Sequence, residues 1–348
     1  MNKEKAYIDL KEITEVIKDA PMKEYTSFKV GGSADLLIDP GDADQFIKAV
    51  KYLTDENIPY MVMGNGSNII FRDGGYRGAV ILTYSSTGGA CLSNIKYGLS
   101  PNSDTGFDQT KQSPNSDTGL DQPKQGCNRD SIVDGDDSTV VTAEAGVLLS
   151  TLAKTVADRG ELSFTGLEFA SGIPGTLGGA LFMNAGAYGG EMKDIVKSAT
   201  VYDPATHKKE KIDVKDMDLA YRHSIFQSNG KIILDVTMKM EHGNPDHIQK
   251  TMRELLQKRN SKQPVNYPSA GSFFKRPEGY FAGKLIEDSG LRGLKKGGAQ
   301  ISEKHAGFMI NTGNATFQDI EDLMQLVKTK VYDKFGVMLE PEVRIVGE

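Results

Sequence analysis

The 348-residue sequence has few of the residues that form disulfides or bind transition metals. It contains two cysteines, Cys91 and Cys127, and five histidines scattered along the chain. So few cysteines suggest a reducing compartment rather than a disulfide scaffold. We expect no metal site, because a structural zinc site needs about four such ligands close together. The length is sufficient for two or three domains with their own cores.

An excess of basic charge and a long apolar run are also missing. The formal net charge is −6, so no overall positive field is present to hold nucleic acid. No apolar stretch reaches the roughly 18 residues of a membrane span, and the charged N-terminus lacks the apolar core of a signal peptide. We therefore expect a cytoplasmic, monomeric protein that acts on a small molecule, without a nucleic-acid or membrane partner.

A tandem repeat interrupts the first half of the chain. Residues 100–112 (SPNSDTGFDQTKQ) are followed directly by the near-copy at 113–125 (SPNSDTGLDQPKQ). The unit is too short and polar to bury a face, and two copies do not make a solenoid. We interpret 85–137 as a mostly disordered surface insertion, with a partner-binding segment as the alternative.

Local patterns outside the insertion indicate an α+β protein. Short apolar runs bounded by glycine predict buried strands at 60–64 and 78–83, and Phe46, Ala49, Val50 and Leu53 share one face of a predicted helix. These elements lack the regular alternation of a doubly wound sheet. Asn244 and Pro245 form a helix-start signature, which we take as the beginning of a second unit. The predicted divisions are a helical extension at 1–21, a main region at 22–243 containing the insertion, and a C-terminal unit at 244–348.

The first of two glycine-rich segments, MGNGSNIIF at 63–71, places a glycine loop directly after a predicted strand. Glycines allow a sharp turn, and successive backbone N–H groups in such a loop can bind an anion. No Gly-Lys-Ser/Thr follows, and the third glycine and helix of the dinucleotide fingerprint are missing. A plain tight turn is the alternative.

The second segment, SGIPGTLGGALFMNAGAYGGEM at 171–192, combines seven glycines with an apolar, helix-like centre. Residues 172–176 can supply N–H donors at the start of a helix. Together the two segments suggest a diphosphate clamp around a nucleotide cofactor, whereas close packing of a helix on a sheet is the alternative. The candidate cofactor-binding residues are Gly64, Asn65, Gly66, Ser67, Asn68, Gly172, Ile173, Pro174, Gly175, Thr176, Gly178, Gly179, Asn184 and Gly186.

Six segments in order resemble the UDP-N-acetylenolpyruvoylglucosamine reductases. They are YTSFKVGGSADLLIDP, MGNGSN, GIPGTLGGALFMNAGAYG, AYRHSIF, PSAGSFFKRP and EPEVRIVGE. The resemblance implies a two-part α+β FAD-binding region of the vanillyl-alcohol-oxidase (PCMH) type and a C-terminal substrate domain. It also implies that NADPH reduces FAD, which then reduces the enolpyruvyl ether to UDP-N-acetylmuramate in peptidoglycan precursor synthesis.

The resemblance assigns three catalytic roles. Ser272 of the GSFF motif matches the family's proton donor, and positioned proton transfer is worth roughly 10²–10⁴-fold in rate. Arg222 of AYRHS matches the arginine that holds the substrate carboxylate, for which a planar guanidinium is well suited. Glu342 of EPEVR matches the catalytic glutamate, in competition with Glu340. The alternatives are a turn-capping role for the serine and a surface ion pair between Glu342 and Arg344.

Positive charge for the substrate diphosphate must be local. We predict Lys262, Arg259, Lys275 and Gln300 as substrate-binding residues, although basic residues at the end of a helix also complement its dipole. Arg276, next to Lys275 behind Ser272, is a similar candidate, but it stands where many family members have asparagine, which puts transfer of that asparagine's role in doubt. The short spacing between Arg222 and Ser272 resembles the subtype that lacks a substrate-covering tyrosine loop.

The sequence is also compatible with two other functions. One is an FAD-linked oxidase of the same fold that acts on another alcohol or sugar. The other is a non-catalytic nucleotide-binding protein whose repeat recruits a partner, which would contain no flavin.

Overall fold

The computed structural model describes residues 2–84, 92, 94–97 and 140–348. The tandem repeat and both cysteines lie outside the described residues, as does most of the insertion predicted at 85–137. Within that predicted insertion, Ile95–Tyr97 forms a strand at the edge of a sheet, so this part of it is ordered. In the part of the chain that the structure describes, no helix is long and apolar enough to cross a bilayer.

The N-terminal part is built on a four-stranded sheet with the order β1-β2-β5-β3. Its elements, together with a strand that belongs to another sheet, are α1 (Lys3–Lys11), β1 (Glu15–Pro21), β2 (Ser33–Asp39), α2 (Ala43–Asp55), β3 (Tyr60–Met63), β4 (Ile69–Phe71) and β5 (Tyr76–Leu82). The four apolar residues predicted on one face of α2 are all buried, and the Asp42 side chain caps the helix. The strands predicted at 60–64 and 78–83 are confirmed as β3 and β5.

The prediction of a helical extension at 1–21 is wrong for its second half. Only α1 is helical, whereas β1 pairs antiparallel with β2 and buries Val16 and Ala20. The charged residues of this segment resemble an exposed helix in sequence, but the edge of β2 offers backbone hydrogen-bond partners that local propensity does not reveal.

A second, antiparallel sheet has the order β12-β11-β13-β7-β6. The elements of this part are β6 (Ile95–Tyr97), β7 (Val140–Glu144), α3 (Leu149–Ala157), β8 (Phe164–Thr165), α4 (Leu177–Phe182), β9 (Gly186–Ala187), β10 (Gly190–Glu191), β11 (Val196–Asp203), β12 (Lys208–Asp213), β13 (Ile232–Lys239) and β14 (Glu241–His242). Apolar residues of α2, α3, α4 and the inner faces of both sheets form one continuous core.

The C-terminal part has its own core around a sheet with the order β15-β18-β17-β16. Its elements, and the helix that leads into it, are α5 (Pro245–Lys262), β15 (Ser269–Ser272), α6 (Ala282–Asp288), β16 (Lys295–Lys296), β17 (Ala299–Ile301), β18 (Phe308–Asn311), α7 (Phe317–Phe335) and β19 (Arg344–Val346). The last strand, β19, leaves this sheet and pairs in parallel with β4 of the N-terminal part.

The predicted boundary at Asn244 falls before a helix that belongs to the first core. The helix start is confirmed, since the Asn244 side chain accepts a hydrogen bond from His247 N–H and Pro245 takes the first helical position. However, Ile248 and Met252 of α5 are buried in the N-terminal core. Phe28, Val30 and Ile70 of the N-terminal part contribute to the second core, but its other buried residues begin at Ala270, so the structural division follows α5.

Arg72 and Asp73, the two residues that directly follow β4, connect the N-terminal and C-terminal parts. The Asp73 carboxylate accepts hydrogen bonds from Phe317 N–H (2.8 Å) and Gln318 N–H (3.1 Å), at the N-terminus of α7. Beside it, the Arg72 guanidinium lies 4.8 Å from the centre of the Phe317 ring, and its Nη1 is 3.4 Å from Glu321 Oε1. Through the pairing of β19 with β4 and these contacts, the C-terminal part is held against β4 and the residues that follow it.

We expect Asp73→Ala to destabilise the protein by roughly 0.5–2 kcal/mol, the range for loss of a capping side chain at a helix N-terminus. The Thr316–Asp319 capping box within α7 remains, so the helix itself should form. Urea unfolding would measure the change. Asp322→Ala removes an exposed carboxylate of the same helix that contacts only a side chain, Gln318 Nε2, and should have a smaller effect. Equal stability of the two variants would contradict the proposed connection.

Candidate active site

A cleft of about 1300 Å³ lies between the two glycine-rich segments, the second sheet and the C-terminal part. This volume exceeds the roughly 300–1,000 Å³ of pockets for drug-sized ligands, so it can hold a molecule as large as a dinucleotide. A smaller lobe of about 570 Å³ extends from it between residues 186–191 and the C-terminal part. Arg222, Ser272 and Glu342 line both.

The first glycine-rich loop connects β3 to β4, and its five predicted residues, Gly64 to Asn68, all line the cleft. Among the described residues, the backbone N–H groups of Asn65, Gly66, Ser67 and Asn68 donate to no protein oxygen. Backbone donors shielded from solvent are nearly always paired in folded proteins, and Gly66 is buried. Such adjacent free donors form a site for an anion.

The second segment faces the first across the cleft. Seven predicted positions from Gly172 to Gly179, and Gly186 after them, line the same cavity. The Asn65 side chain donates to the Pro174 carbonyl at 2.5 Å. Gly64 approaches Thr176 so closely that a Cβ atom on the glycine would lie 2.3 Å from the threonine Oγ1. The two segments therefore contact each other directly, as the clamp hypothesis requires.

The N–H groups predicted at residues 172–176 are largely available. Among the described residues, those of Gly172, Gly175 and Thr176 donate to no protein oxygen. The N–H groups of Leu177 and Gly178 in α4 donate to backbone carbonyls of the chain that follows β7, which attaches the short helix to the sheet. Free donors for a diphosphate therefore lie on both glycine-rich segments.

Asn184 is a correction, because it lines neither cavity. Its buried side-chain nitrogen donates to Glu191 Oε2 (2.7 Å) and to the Ala220 carbonyl (3.0 Å), and its oxygen accepts from Lys193 N–H. Both of its amide hydrogens and its oxygen are thus bonded inside the protein, and it supports the turn that precedes Arg222.

We expect Gly64→Ala to be purified with little bound flavin. The added methyl group must push the first loop away from Thr176, since a contact of 2.3 Å is impossible without movement. The ratio of flavin to protein absorbance measures the effect. Gly41→Ala is the control, because that exposed glycine would meet only the flexible Gln45 side chain. Full flavin content in Gly64→Ala would contradict a cofactor site between these loops.

The three predicted catalytic residues lie together although they are far apart in sequence. Ser272 ends β15, and the following residues pair with the chain around Glu342: Glu342 N–H donates to the Phe273 carbonyl at 2.8 Å. Arg222 sits in a tight turn closed by two backbone hydrogen bonds between Ala220 and His223. Backbone pairing thus fixes Ser272 near Glu342, and a side-chain contact brings Arg222 to them.

That contact is a partly buried ion pair. Arg222 Nε lies 2.5 Å from Glu342 Oε1, and their side chains are only 20% and 12% exposed. Burial raises the pKa of Glu342, while the neighbouring guanidinium opposes this rise. Arg222 also has a left-handed backbone (φ +55°), a conformation that costs energy for a residue other than glycine and is often associated with functional sites.

The structure separates Glu342 from its alternatives. Glu340 is exposed and pairs with Lys275 at 3.4 Å, outside both cavities. Arg344 does not pair with Glu342; its guanidinium lies 4.8 Å from the centre of the Phe182 ring. A surface ion pair between Glu342 and Arg344 is therefore wrong.

The four predicted substrate-binding residues have different locations. Arg259 lines the large cleft beside Gly172, and its partial burial lowers its pKa. Lys262 is exposed outside both linings, although its charge acts on His305 of the smaller lobe. Lys275 pairs with Glu340, as noted above. Gln300 is a correction: it is buried, donates to the Gly293 carbonyl at 3.0 Å and lines neither cavity.

For most of the smaller lobe, the sequence predicts no ligand-binding role. Besides Arg276, its lining includes Tyr188, Tyr221, Arg292, Lys304 and His305. The two tyrosines lie in segments that resemble the family, and basic residues are frequent in the C-terminal loops, but neither signal indicates that these side chains meet. Their convergence depends on how α6, β17 and β18 pack, which no local pattern specifies.

Comparison with known proteins agrees with this geometry. A family model described as the UDP-N-acetylenolpyruvoylglucosamine reductase C-terminal domain matches residues 263–346, and an FAD binding domain model matches 114–207. UDP-N-acetylenolpyruvoylglucosamine reductases of Clostridioides difficile and Alkaliphilus oremlandii are 46% and 44% identical to the chain over the full length of each. The chain belongs to this reductase family.

Membership makes the protein an FAD-dependent oxidoreductase with an FAD-binding domain and a reductase C-terminal domain. The solved reductase from Thermus caldophilus is similar over 96% of this chain and 98% of its own, with 27% identity and a TM-score of 0.68. The C-terminal family model begins at residue 263, directly after α5, where the structural division also lies. The fold class predicted from the sequence is confirmed.

The described residues fit the cofactor that the family implies. The loop between β3 and β4 offers unpaired N–H groups for a diphosphate, and the cleft beside it has the volume for a flavin dinucleotide. The second glycine-rich segment forms the opposite wall. Arg222, Ser272 and Glu342 lie at the end of the cleft that opens into the smaller lobe.

Proposed function

We propose that this enzyme uses FAD and NADPH to reduce the enolpyruvyl ether of UDP-N-acetylglucosamine to UDP-N-acetylmuramate, a cytoplasmic step of peptidoglycan precursor synthesis. The observation that carries the proposal is the meeting of Ser272, Arg222 and Glu342 at the junction of the two cavities. Bound FAD supplies hydride transfer from NADPH to the substrate double bond.

Arg222 is proposed to bind the carboxylate of the enolpyruvyl group. Hydride addition to the double bond moves negative charge onto the neighbouring carbon and this carboxylate, and a fixed guanidinium stabilises that charge. Because Glu342 already holds Arg222 Nε at 2.5 Å, the remaining guanidinium N–H groups stay available to the substrate.

Ser272 is proposed to donate the proton that completes the reduction. Its side chain is exposed to the cleft, and none of the described residues hydrogen bonds its hydroxyl. A hydroxyl is a weak acid, so its transfer requires an environment that tolerates transient negative charge. Arg222 provides positive charge on the same lining, and Glu342, whose pKa is raised by burial, can return a proton.

The substrate diphosphate is proposed to bind in the smaller lobe. Lys304 and Arg276 line it without a carboxylate partner among the described residues; Lys304 donates to the Asn260 carbonyl and Arg276 stacks on the Phe281 ring. Arg292 also lines it but is paired with Glu287. Arg259 and Lys262 remain proposed contacts at its border.

The function can be tested by recording the flavin absorbance anaerobically while NADPH and then the substrate are added. The purified protein should be yellow, NADPH should bleach it, and the enolpyruvyl UDP-sugar should restore the colour without oxygen. Recovery only after admitting air would favour the FAD-linked oxidase. A colourless protein that cannot be reconstituted with FAD would overturn both.

A further inference from the structure

Tyr221 occupies an unusual place for a large aromatic residue. It directly precedes Arg222, yet 51% of its surface is exposed, so burial in a core does not account for it. Its ring lines the smaller lobe. The hydroxyl of a half-exposed tyrosine often makes a hydrogen bond, and the Tyr221 hydroxyl does so.

The Tyr221 hydroxyl accepts a hydrogen bond from Arg276 N–H at 3.1 Å, across 55 residues of sequence. Arg276 lies four residues after Ser272, on the loop that continues from β15. Its own guanidinium lies 4.7 Å from the centre of the Phe281 ring, which anchors that loop further. The hydroxyl therefore connects the turn of the FAD-binding domain to the serine loop of the C-terminal domain.

The same side chain contacts the proposed catalytic arginine through its ring. The Arg222 guanidinium carbon lies 5.1 Å from the centre of the Tyr221 ring, a cation–π arrangement. The Arg222 backbone is held separately, because Gln227 Nε2 donates to its carbonyl at 3.0 Å and the Ala220–His223 turn is closed. The long side chain must be held as well. Among the described residues, its guanidinium makes an ion pair with Glu342 and a cation–π contact with Tyr221, and no other hydrogen bond, ion pair or ring contact.

From these two contacts we propose that Tyr221 is a positioning residue, which holds the Arg222 guanidinium and the Ser272 loop at the separation that reduction of the substrate requires. The proposal rests on the function proposed above. It predicts that Tyr221 affects the step in which substrate is reduced and protonated, because only that step uses Arg222 and Ser272. Reduction of the flavin by NADPH needs neither.

Stopped-flow measurement of the two half-reactions of the holoenzyme tests this. Tyr221→Phe keeps the ring but loses the hydrogen bond, so flavin reoxidation by saturating enolpyruvyl substrate should slow about fivefold, the effect of one neutral hydrogen bond. Tyr221→Leu removes both contacts and should slow it roughly 10²-fold, as expected for a displacement of about 1 Å. Flavin reduction by NADPH should change less than about twofold in either variant.

Tyr280→Phe is the matched control, since Tyr280 is a similarly exposed tyrosine on the loop that carries Arg276 and lines neither cavity. It should leave both half-reactions unchanged. Normal reoxidation in Tyr221→Leu, or equal slowing of both half-reactions, would overturn the positioning role. Failure of the wild-type flavin to be reoxidised by the substrate would instead overturn the proposed function, and this inference with it.

Discussion

Ser272→Ala should leave reduction of the flavin by NADPH intact and slow its reoxidation by the enolpyruvyl substrate by roughly 10²–10⁴-fold. The hydroxyl lies on the cleft lining beside Arg222 and Glu342, and the variant removes only the proposed proton donor. Because Ser272 makes no side-chain hydrogen bond among the described residues, the fold should be unaffected. Stopped-flow absorbance under anaerobic conditions measures both half-reactions.

Ser269→Ala provides a control for this variant. Ser269 begins the same strand, β15, and lines the large cleft, but its contribution to the fold is through its carbonyl, which accepts from Ser27 Oγ at 2.7 Å. We expect reoxidation close to the wild-type rate. If Ser272→Ala were also reoxidised normally, Ser272 would not be the proton donor.

Arg222→Met should reduce the rate of substrate reduction by roughly 10²–10³-fold, the usual loss when one group that stabilises developing charge is removed. It should also destabilise the protein near neutral pH by about 3 kcal/mol, because Glu342 is left buried without its positive partner. The pKa of Glu342, already raised by burial, should rise further.

The sign of the pH dependence follows from that shift. A carboxyl group whose pKa is raised in the folded state holds its proton while the unfolded chain releases it, so stability falls as pH increases above the unfolded value of about 4.3. Arg222→Met should therefore be close to wild-type stability in acid and lose stability as the pH rises to the folded pKa. Urea unfolding of the variant and the wild type across this pH range measures the free energy of unfolding.

The double variant Arg222→Met/Glu342→Gln separates the two effects. Glutamine cannot ionise, so the double variant should be more stable than Arg222→Met at neutral pH and should lack its pH dependence. Its rate of substrate reduction should stay at least as low as that of Arg222→Met. A single variant as stable as wild type at all pH values would show that the pair contributes nothing to the fold.

The glycine loops and helix caps could be predicted because their causes are local. The Asn244-Pro245 start of α5, the apolar face of α2 and the unpaired loop after β3 all depend on neighbouring residues. The strand β1 could not be predicted in the same way, since its hydrogen-bond partner β2 is distant in sequence. For the same reason, the sequence predicts that α5 begins the C-terminal unit, whereas its buried residues belong to the N-terminal core.

Individual site residues show this limit more sharply. Asn184 and Gln300 have side chains suited to binding a ligand, but in the fold they are buried and hydrogen bonded to the protein. Tyr221 belongs to the AYRHSIF segment, but that motif gives it no role, although its hydroxyl connects its turn to the loop after Ser272 and its ring contacts Arg222. The residue type limits which groups a side chain can bind, whereas the packing of the chain determines which groups lie close enough to be bound.

By itself, the sequence determined the family, the α+β class, the two glycine-rich segments and the three residues proposed for catalysis. This was possible because motifs and short-range periodicity depend on residues that are close together in the sequence. The tertiary structure alone decided that Glu342 pairs with Arg222 rather than with Arg344, that Ser272 faces the cleft beside them, and that basic residues of the C-terminal domain line a second lobe. These arrangements come from strand pairing and packing between residues that are distant in sequence. Asn68 and Glu342, for example, are 274 positions apart, and no local preference predicts that they lie close together.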